Sequence, residues 1–162
     1  MRSSAASDVY KRQHPYFILD YGNVRQKLSH EDKVTSGAVR QAVIDIRRSK
    51  LPDPSERGNA GSFFVNPIVS RERYVELHAR FADMPCYEVD SDHVKIPAGW
   101  LIEQAGWKGR ALGRAAVHDK QALVLVNLGG AQGADILALA EAIQKSVADK
   151  FGITIRPEVN FL

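Results

Sequence analysis

One cysteine, Cys86, stands among the 162 residues, so no internal disulfide can form and a reducing compartment, the cytoplasm, fits best. Long apolar runs are missing as well. The longest, Ala122–Val126, falls far short of the roughly 20 residues that a membrane-spanning helix needs. Net charge is small: 22 Lys plus Arg against 19 Asp plus Glu give +3, of which Arg2, Lys11 and Arg12 against Asp8 supply +2, leaving +1. That balance is no electrostatic footprint for nucleic acid. Metal-ligand spacing is absent too. His14, His30, His78, His93 and His118 form no HxxxH or HExxH, and one cysteine makes no CxxC, so scattered structural histidines are expected. No GxGxxG, GK[ST] or GxSxG string occurs. What is present is ordinary. Hydrophobic residues at 44% and charged residues at 25% exclude wholesale disorder, and the length suits one domain or part of a larger enzyme.

Local patterning alternates strand and helix. Pro15–Tyr21 is an aromatic, apolar run that predicts a strand. Thr35 or Ser36 caps a helix with Val39, Val43 and Ile46 on one face, and Pro52 and Pro54 stop it near Leu51. The loop Pro52–Gly61 leads to a short strand, Ser62–Val65, ended by Asn66-Pro67. Ser70 caps a helix through Phe81 with Tyr74, Leu77 and Phe81 on one stripe. Val89–Ile96 gives short extended pieces around a polar turn at Asp90–Asp92, and Ala98–Gln104 a brief helix closed by Gly106. Ala122–Asn127 predicts a buried strand. The turn Leu128–Gly133 then opens a helix over Ala134–Lys150, with Ile136, Leu139, Ile143 and Val147 inward and Gly152 at its end. Ile153–Phe161 predicts a final strand. Connections this irregular favour α+β over a doubly wound sheet.

Candidate chemistry is thin on spacing alone. Gly58–Gly61 and Leu128–Gly133 are plain turns, although the second precedes a helix and could receive an anion there. Ser62, between Gly61 and Phe63-Phe64, is either a structural serine or one that a flat ligand approaches over the glycine. Glu158 and Asn160 face away from Val159 and Phe161, as solvated strand residues do. Arg47, Arg48 and Lys50 suit a helix C-terminus, and Lys108 stands in Gly106-Trp107-Lys108-Gly109. These residues alone describe a soluble α+β domain able to bind an anionic ligand.

Read in order, a series of strings adds to this. It runs Lys50-Leu51-Pro52-Asp53-Pro54, then Gly58 to Phe64 (GNAGSFF), then Asn66-Pro67 and Ala98 to Gln104 (AGWLIEQ). It continues through Gly106-Trp107-Lys108-Gly109, Val117-His118, Gln121 to Asn127 (QALVLVN) and Pro157-Glu158-Val159. The series resembles the C-terminal region of the UDP-N-acetylenolpyruvoylglucosamine reductases, also called UDP-N-acetylmuramate dehydrogenases, over essentially all of His14–Leu162. The resemblance implies a substrate-binding domain with a small mixed or antiparallel sheet packed by helices. It also implies reduction of an enolpyruvyl ether to a lactyl ether in cytoplasmic peptidoglycan precursor synthesis, with NADPH as electron source and FAD as carrier. Hydride adds to the vinyl carbon distal to the carboxylate and a proton to its neighbour, and the enolate-like charge between the steps needs stabilising.

By the same resemblance Ser62 is the proton donor and Glu158 the stabilising or proton-supplying carboxylate, which partial burial beside another anion would keep protonated. Contacts to the substrate, UDP-N-acetylglucosamine enolpyruvate, fall to Tyr21, Lys50, Asn66, Tyr87, Lys108 and Gln121. Cations and amides suit its diphosphate, and tyrosines can cover a sugar or uracil face. Val65 departs from the lysine of many relatives. The family's FAD-binding region has no counterpart in these strings, so the chain is expected to hold neither FAD nor NADPH by itself and to be inactive alone. Ser3–Gln13 (SSAASDVYKRQ) matches a translated sequencing-library adapter better than a natural disordered tail. The expected organisation is therefore 1–13 as adapter-derived tail, 14–56 leading in, and 57–162 as the substrate-binding domain. A stand-alone, non-enzymatic UDP-sugar-binding module is the other reading.

Overall fold

The computed structural model of the chain describes residues 16–20, 23–30 and 34–159. The chain divides into two compact units, Met1–Lys50 and Leu51–Leu162.

The first unit contains a short helix α1 (Val24–Lys27) and a long one, α2 (Ser36–Lys50). Thr35 caps α2: its Oγ1 accepts the Ala38 amide at 3.2 Å. Arg47, Arg48 and Lys50 occupy the last turn, where cations meet the negative end of the dipole. Val24 and Leu28 pack against Ala42 and Ile46, with Val39 and Val43 half-buried beside them. The strand expected over Pro15–Tyr21 does not form where the chain is described, since Tyr16–Asp20 has no regular structure. A strand needs a ladder partner, and none of the described residues pairs with it. Pro15 and Tyr21 lie outside the described residues, as do residues 1–13.

The second unit carries strands β1 (Asn59–Ser62), β2 (Phe64–Val65), β3 (Ile68–Ser70), β4 (Tyr87–Glu88), β5 (His93–Lys95), β6 (Ala111–Leu112), β7 (Ala115–Val117), β8 (Val124–Asn127) and β9 (Arg156–Pro157). Its helices are α3 (Arg71–Arg80), α4 (Ala98–Gln104) and α5 (Gly133–Phe151). The architecture is α+β. Three small sheets, ordered β1-β8-β7-β6, β3-β5-β4 and β2-β9, pair antiparallel throughout.

Strand β8 explains its own apolar run. Leu125 joins the main core, while Val124 and Val126 pack with Ala116 and Leu51 in a second cluster, so both faces are covered. Helix α5 lays Leu139, Ala140, Ile143, Val147 and Phe151 into the main core. It opens on a capping box, in which the Gln132 amide donates to Asp135 Oδ2 at 2.8 Å, and it ends at Gly152 with φ +63°. Ser70 caps α3, its Oγ accepting the Arg73 amide at 3.2 Å.

The expected final strand Ile153–Phe161 shrinks to Arg156–Pro157, which pairs with β2. Ile153 and Ile155 are buried, but the Ile155 carbonyl accepts from Gln144 Nε2 at 2.8 Å, so a side chain of α5 satisfies it in place of a strand. Asn160 and Phe161 lie outside the described residues. Strand β3 and the β6–β7 hairpin, turning at Gly113 with φ +61°, have no counterpart in the sequence reading.

Candidate functional site

Helix α4 forms one wall of a cleft of about 310 Å³. Pro97 precedes the helix and offers no side-chain cap, so Asn66 does it from across the fold: its Oδ1 accepts the Ala98 amide at 2.8 Å. Gly99 lets the helix start approach the opposite wall, since a Cβ there would meet Gln121 Oε1 and Leu123 Cγ at 3.4 Å. Gln121 Oε1 in turn accepts from the Leu123 amide at 3.4 Å. The carbonyl of each side-chain amide is therefore spent on the fold, and the NH₂ end of each is left to donate to a ligand oxygen.

Four of the six expected ligand contacts, Asn66, Tyr87, Lys108 and Gln121, line this one cleft. Trp100, Glu103 and Lys120 line it with them. Trp100 is braced by Phe81 and Phe151, with ring centroids 6.4 and 5.8 Å away. Lys108 Nζ donates to Glu103 Oε1 at 2.9 Å. Trp100 and Glu103 lie in the AGWLIEQ string at i and i+3, a spacing that puts them on one helix face. Lys120 adjoins Gln121, and no pattern in the sequence distinguishes it.

Tyr87 is 59% exposed on a two-residue edge strand paired only with β5. Its segment is pinned from α3. Arg71 Nε donates to the Ser91 carbonyl at 2.9 Å and Nη2 to the Asp90 carbonyl at 3.3 Å, while the guanidinium pairs with the Glu88 carboxylate. That bond holds Glu88 below the usual carboxylate range and raises Arg71. Asp90 is lowered by the Asp92 amide and then by His93. The Tyr74 hydroxyl donates to the Met84 carbonyl at 2.9 Å, and the neighbouring Cys86 thiol, followed by burial, pushes its phenol up to about 12.

Ser62 and Glu158 do not line the cleft. Their segments meet at Phe63, whose backbone pairs with that of the cleft-lining Leu123. Ser62 pairs with Val124, the Phe63 amide donates to the Leu123 carbonyl at 2.8 Å, and the Glu158 amide donates to the Phe63 carbonyl at 2.8 Å. Both residues are exposed, so the partial burial expected for Glu158 does not hold. Lys50 is exposed at the end of α2 in the first unit, and Tyr21 lies outside the described residues.

The glycine-rich turns do not fit a dinucleotide pyrophosphate, which needs backbone amides free to point at it. In the second turn Asn127 Oδ1 takes the amides of Gly129 and Ala131 at 2.8 and 3.0 Å, and Asp135 takes that of Gln132. In the first, Asn59 Oδ1 takes the Gly61 amide at 3.1 Å. At the head of α5, therefore, part of the amides an anion would use is taken up by side chains of the same turn. Among the described residues no group of three His, Cys, Asp or Glu could hold a metal ion, and no helix is long and apolar enough to cross a membrane.

The family model for the C-terminal domain of UDP-N-acetylenolpyruvoylglucosamine reductase matches residues 53–162. A UDP-N-acetylenolpyruvoylglucosamine reductase of Bacteroides fragilis is 60% identical over 152 residues, covering 94% of this chain and 45% of its own length. A Burkholderia multivorans protein of that name is 54% identical over 144 residues, with 86% of this chain and 41% of its own length covered. For one of Porphyromonas gingivalis the figures are 48% over 157 residues, 96% and 46%. The chain therefore spans a little under half the length of these relatives.

Proposed function

Since the chain belongs to the UDP-N-acetylenolpyruvoylglucosamine reductase family, we propose that its second unit grips that family's UDP-sugar substrate, UDP-N-acetylglucosamine enolpyruvate. One observation carries the reading: Asn66, Tyr87, Lys108 and Gln121, far apart in sequence, converge on one cleft. The amide NH₂ groups and the lysine suit diphosphate oxygens, and the exposed Tyr87 suits a sugar or uracil face. Lys50 and Tyr21 add contacts from the first unit's stretch of chain. The boundary proposed is a lead-in over 14–56 and a substrate-binding domain over 57–162, working in the cytoplasm.

Ser62 gives its hydroxyl proton to the substrate carbon beside the carboxylate, and Glu158 stabilises the charge that precedes this transfer or supplies the proton. The close approach of their backbones through Phe63 supports the pairing. FAD, the family's electron carrier, and NADPH belong in this reading to residues other than those described, because the glycine turns carry no GxGxxG string and bond some of their amides internally.

Calorimetry of the whole chain with UDP-N-acetylglucosamine tests the grip. Binding is expected, with a melting temperature that rises with ligand by mass action, by about 2.7 kcal/mol of stabilisation at a hundredfold excess over Kd. No thermal shift and no heat at saturating ligand defeats the reading. The chain with added FAD is expected to give no sustained NADPH-dependent reduction. The second reading is a stand-alone UDP-sugar-binding module, in which Ser62→Ala leaves binding intact and removes nothing else.

A further inference from the structure

The ionisable groups lining the cleft, Tyr87 aside, are Glu103, Lys108 and Lys120. Lys108 is not free: its Nζ sits 2.9 Å from Glu103 Oε1, with side chains 36% and 49% exposed. The pair contributes little net charge to an arriving anion, and Glu103 itself repels one. Lys120, exposed at the rim beside Gln121, has no hydrogen bond or ion pair among the described residues. With two cations and one carboxylate on the wall and one of the cations neutralised, the uncompensated charge of the cleft resides on Lys120.

We propose that Lys120 is the residue that first takes the phosphate charge of a nucleoside-diphosphate ligand, while Glu103 holds Lys108 in reserve as a second contact. The proposal rests on the UDP-sugar reading of the cleft. Lysine binds phosphate as a point charge on a flexible stem, so it can reach a diphosphate from the rim without a preformed fork. Lys108 has further N–H donors, but it gives the ligand its full charge only by leaving Glu103, so the carboxylate acts as a stand-in for the ligand's negative charge when the cleft is empty. Removing Lys120 weakens the ligand; neutralising Glu103 frees Lys108 and strengthens it. Both effects are electrostatic at partly exposed groups, so salt screens them.

Calorimetric titration of the whole chain with UDP-N-acetylglucosamine, at about 50 and about 300 mM salt, tests this. Lys120→Gln is expected to weaken binding about tenfold at low salt and to flatten the salt dependence. Glu103→Gln is expected to tighten binding severalfold. Both positions are on the surface, and unchanged melting curves check that the variants fold. Wild-type binding that Lys120→Gln leaves unchanged overturns the assignment of Lys120 but not the UDP-sugar reading. Glu103→Gln binding more weakly than wild type overturns the role of Glu103 as stand-in. A wild-type chain that does not bind at either salt overturns the cleft reading and this inference with it.

Discussion

Asn66 has two jobs that pull on opposite ends of one amide. Its Oδ1 caps α4 through the buried Ala98, and its NH₂ is the end left to donate in the cleft that Asn66 lines. Asn66→Asp keeps the cap acceptor and removes the donor; Asn66→Ala removes both. We therefore expect Asn66→Ala to lower stability by about 1–2 kcal/mol and to weaken UDP-N-acetylglucosamine, while Asn66→Asp loses affinity with little loss of melting temperature. Equal destabilisation by both variants, read by thermal melting, counts against the division of roles. Gly152→Ala is the control at a residue that does not line the cleft. Its φ is +63°, and an added Cβ would meet Arg73 Nη2 at 2.7 Å, where that nitrogen donates to the Phe151 carbonyl at 2.9 Å. A loss of at least about 1 kcal/mol with unchanged ligand affinity is expected. Little of this was legible in the sequence. Periodicity identified the face Leu77 presents and the inward side of α5, but no spacing announces that Asn66 bonds an amide 32 residues away. The four cleft residues follow only from the family resemblance, and neither the carboxylate beside Lys108 nor the cation beside Gln121 is marked by any pattern, because charge in a cleft is a property of the assembled walls.

The element that positions Tyr87 is a strand of two residues, and two residues of ladder do not hold a strand unaided. Arg71 supplies what the ladder lacks by gripping the Glu88–Asp92 turn through one carboxylate and two carbonyls. Arg71→Ala is expected to speed hydrogen exchange over residues 87–93 and to weaken ligand a few-fold, at a global cost below about 1 kcal/mol, since exposed ion pairs contribute little. Exchange confined to its wild-type rate over that segment rejects the pinning role. The same pair sets a pH window. Glu88 and Asp90 are both lowered, so their contribution is complete above the unfolded carboxylate value of about 4 and is lost as pH falls through their lower folded values. Protection of the amides over residues 87–93, with the intrinsic pH dependence of amide exchange divided out, should stay flat from about pH 8 to about pH 5 and fall only below about pH 4. The longer helices were readable in advance because caps and 3.6-residue period are local: Ser70, Thr35 and Gly152 each mark an end, whereas the four-residue, uncapped α1 carries no such signal. Among the strands β8 was legible from its apolar run, whereas β3 takes its partner from β5 beyond a whole helix, β4 and β6 are two-residue arms too short to show a period, and Gln144 takes the carbonyl that would have extended β9.

The two units differ in how much core each can call on. Four buried side chains, Val24, Leu28, Ala42 and Ile46, make up the buried cluster of the first, on two helices. The main cluster of the second gathers residues from Phe63 to Ile155 and joins all three of its helices to its sheets. Chains below about 40 residues rarely bury enough surface to fold without staples, and among the described residues of the first unit there is no strand to pack against its helices. A chain beginning at Leu51 is therefore expected to unfold cooperatively, within a few degrees of the melting temperature of the whole protein, whereas the separate stretch 16–50 is expected to show only marginal helix by circular dichroism. The same truncation divides the proposed contacts, because Asn66, Tyr87, Lys108, Lys120 and Gln121 remain and Lys50 and Tyr21 go. If the Leu51–Leu162 stretch melts cooperatively but binds UDP-N-acetylglucosamine at least about tenfold more weakly, Lys50 and Tyr21 reach the ligand. If its affinity is unchanged, their role in binding is withdrawn and the cleft suffices. A Leu51–Leu162 stretch that fails to fold would instead mean that the small helical unit contributes to the stability of the large one.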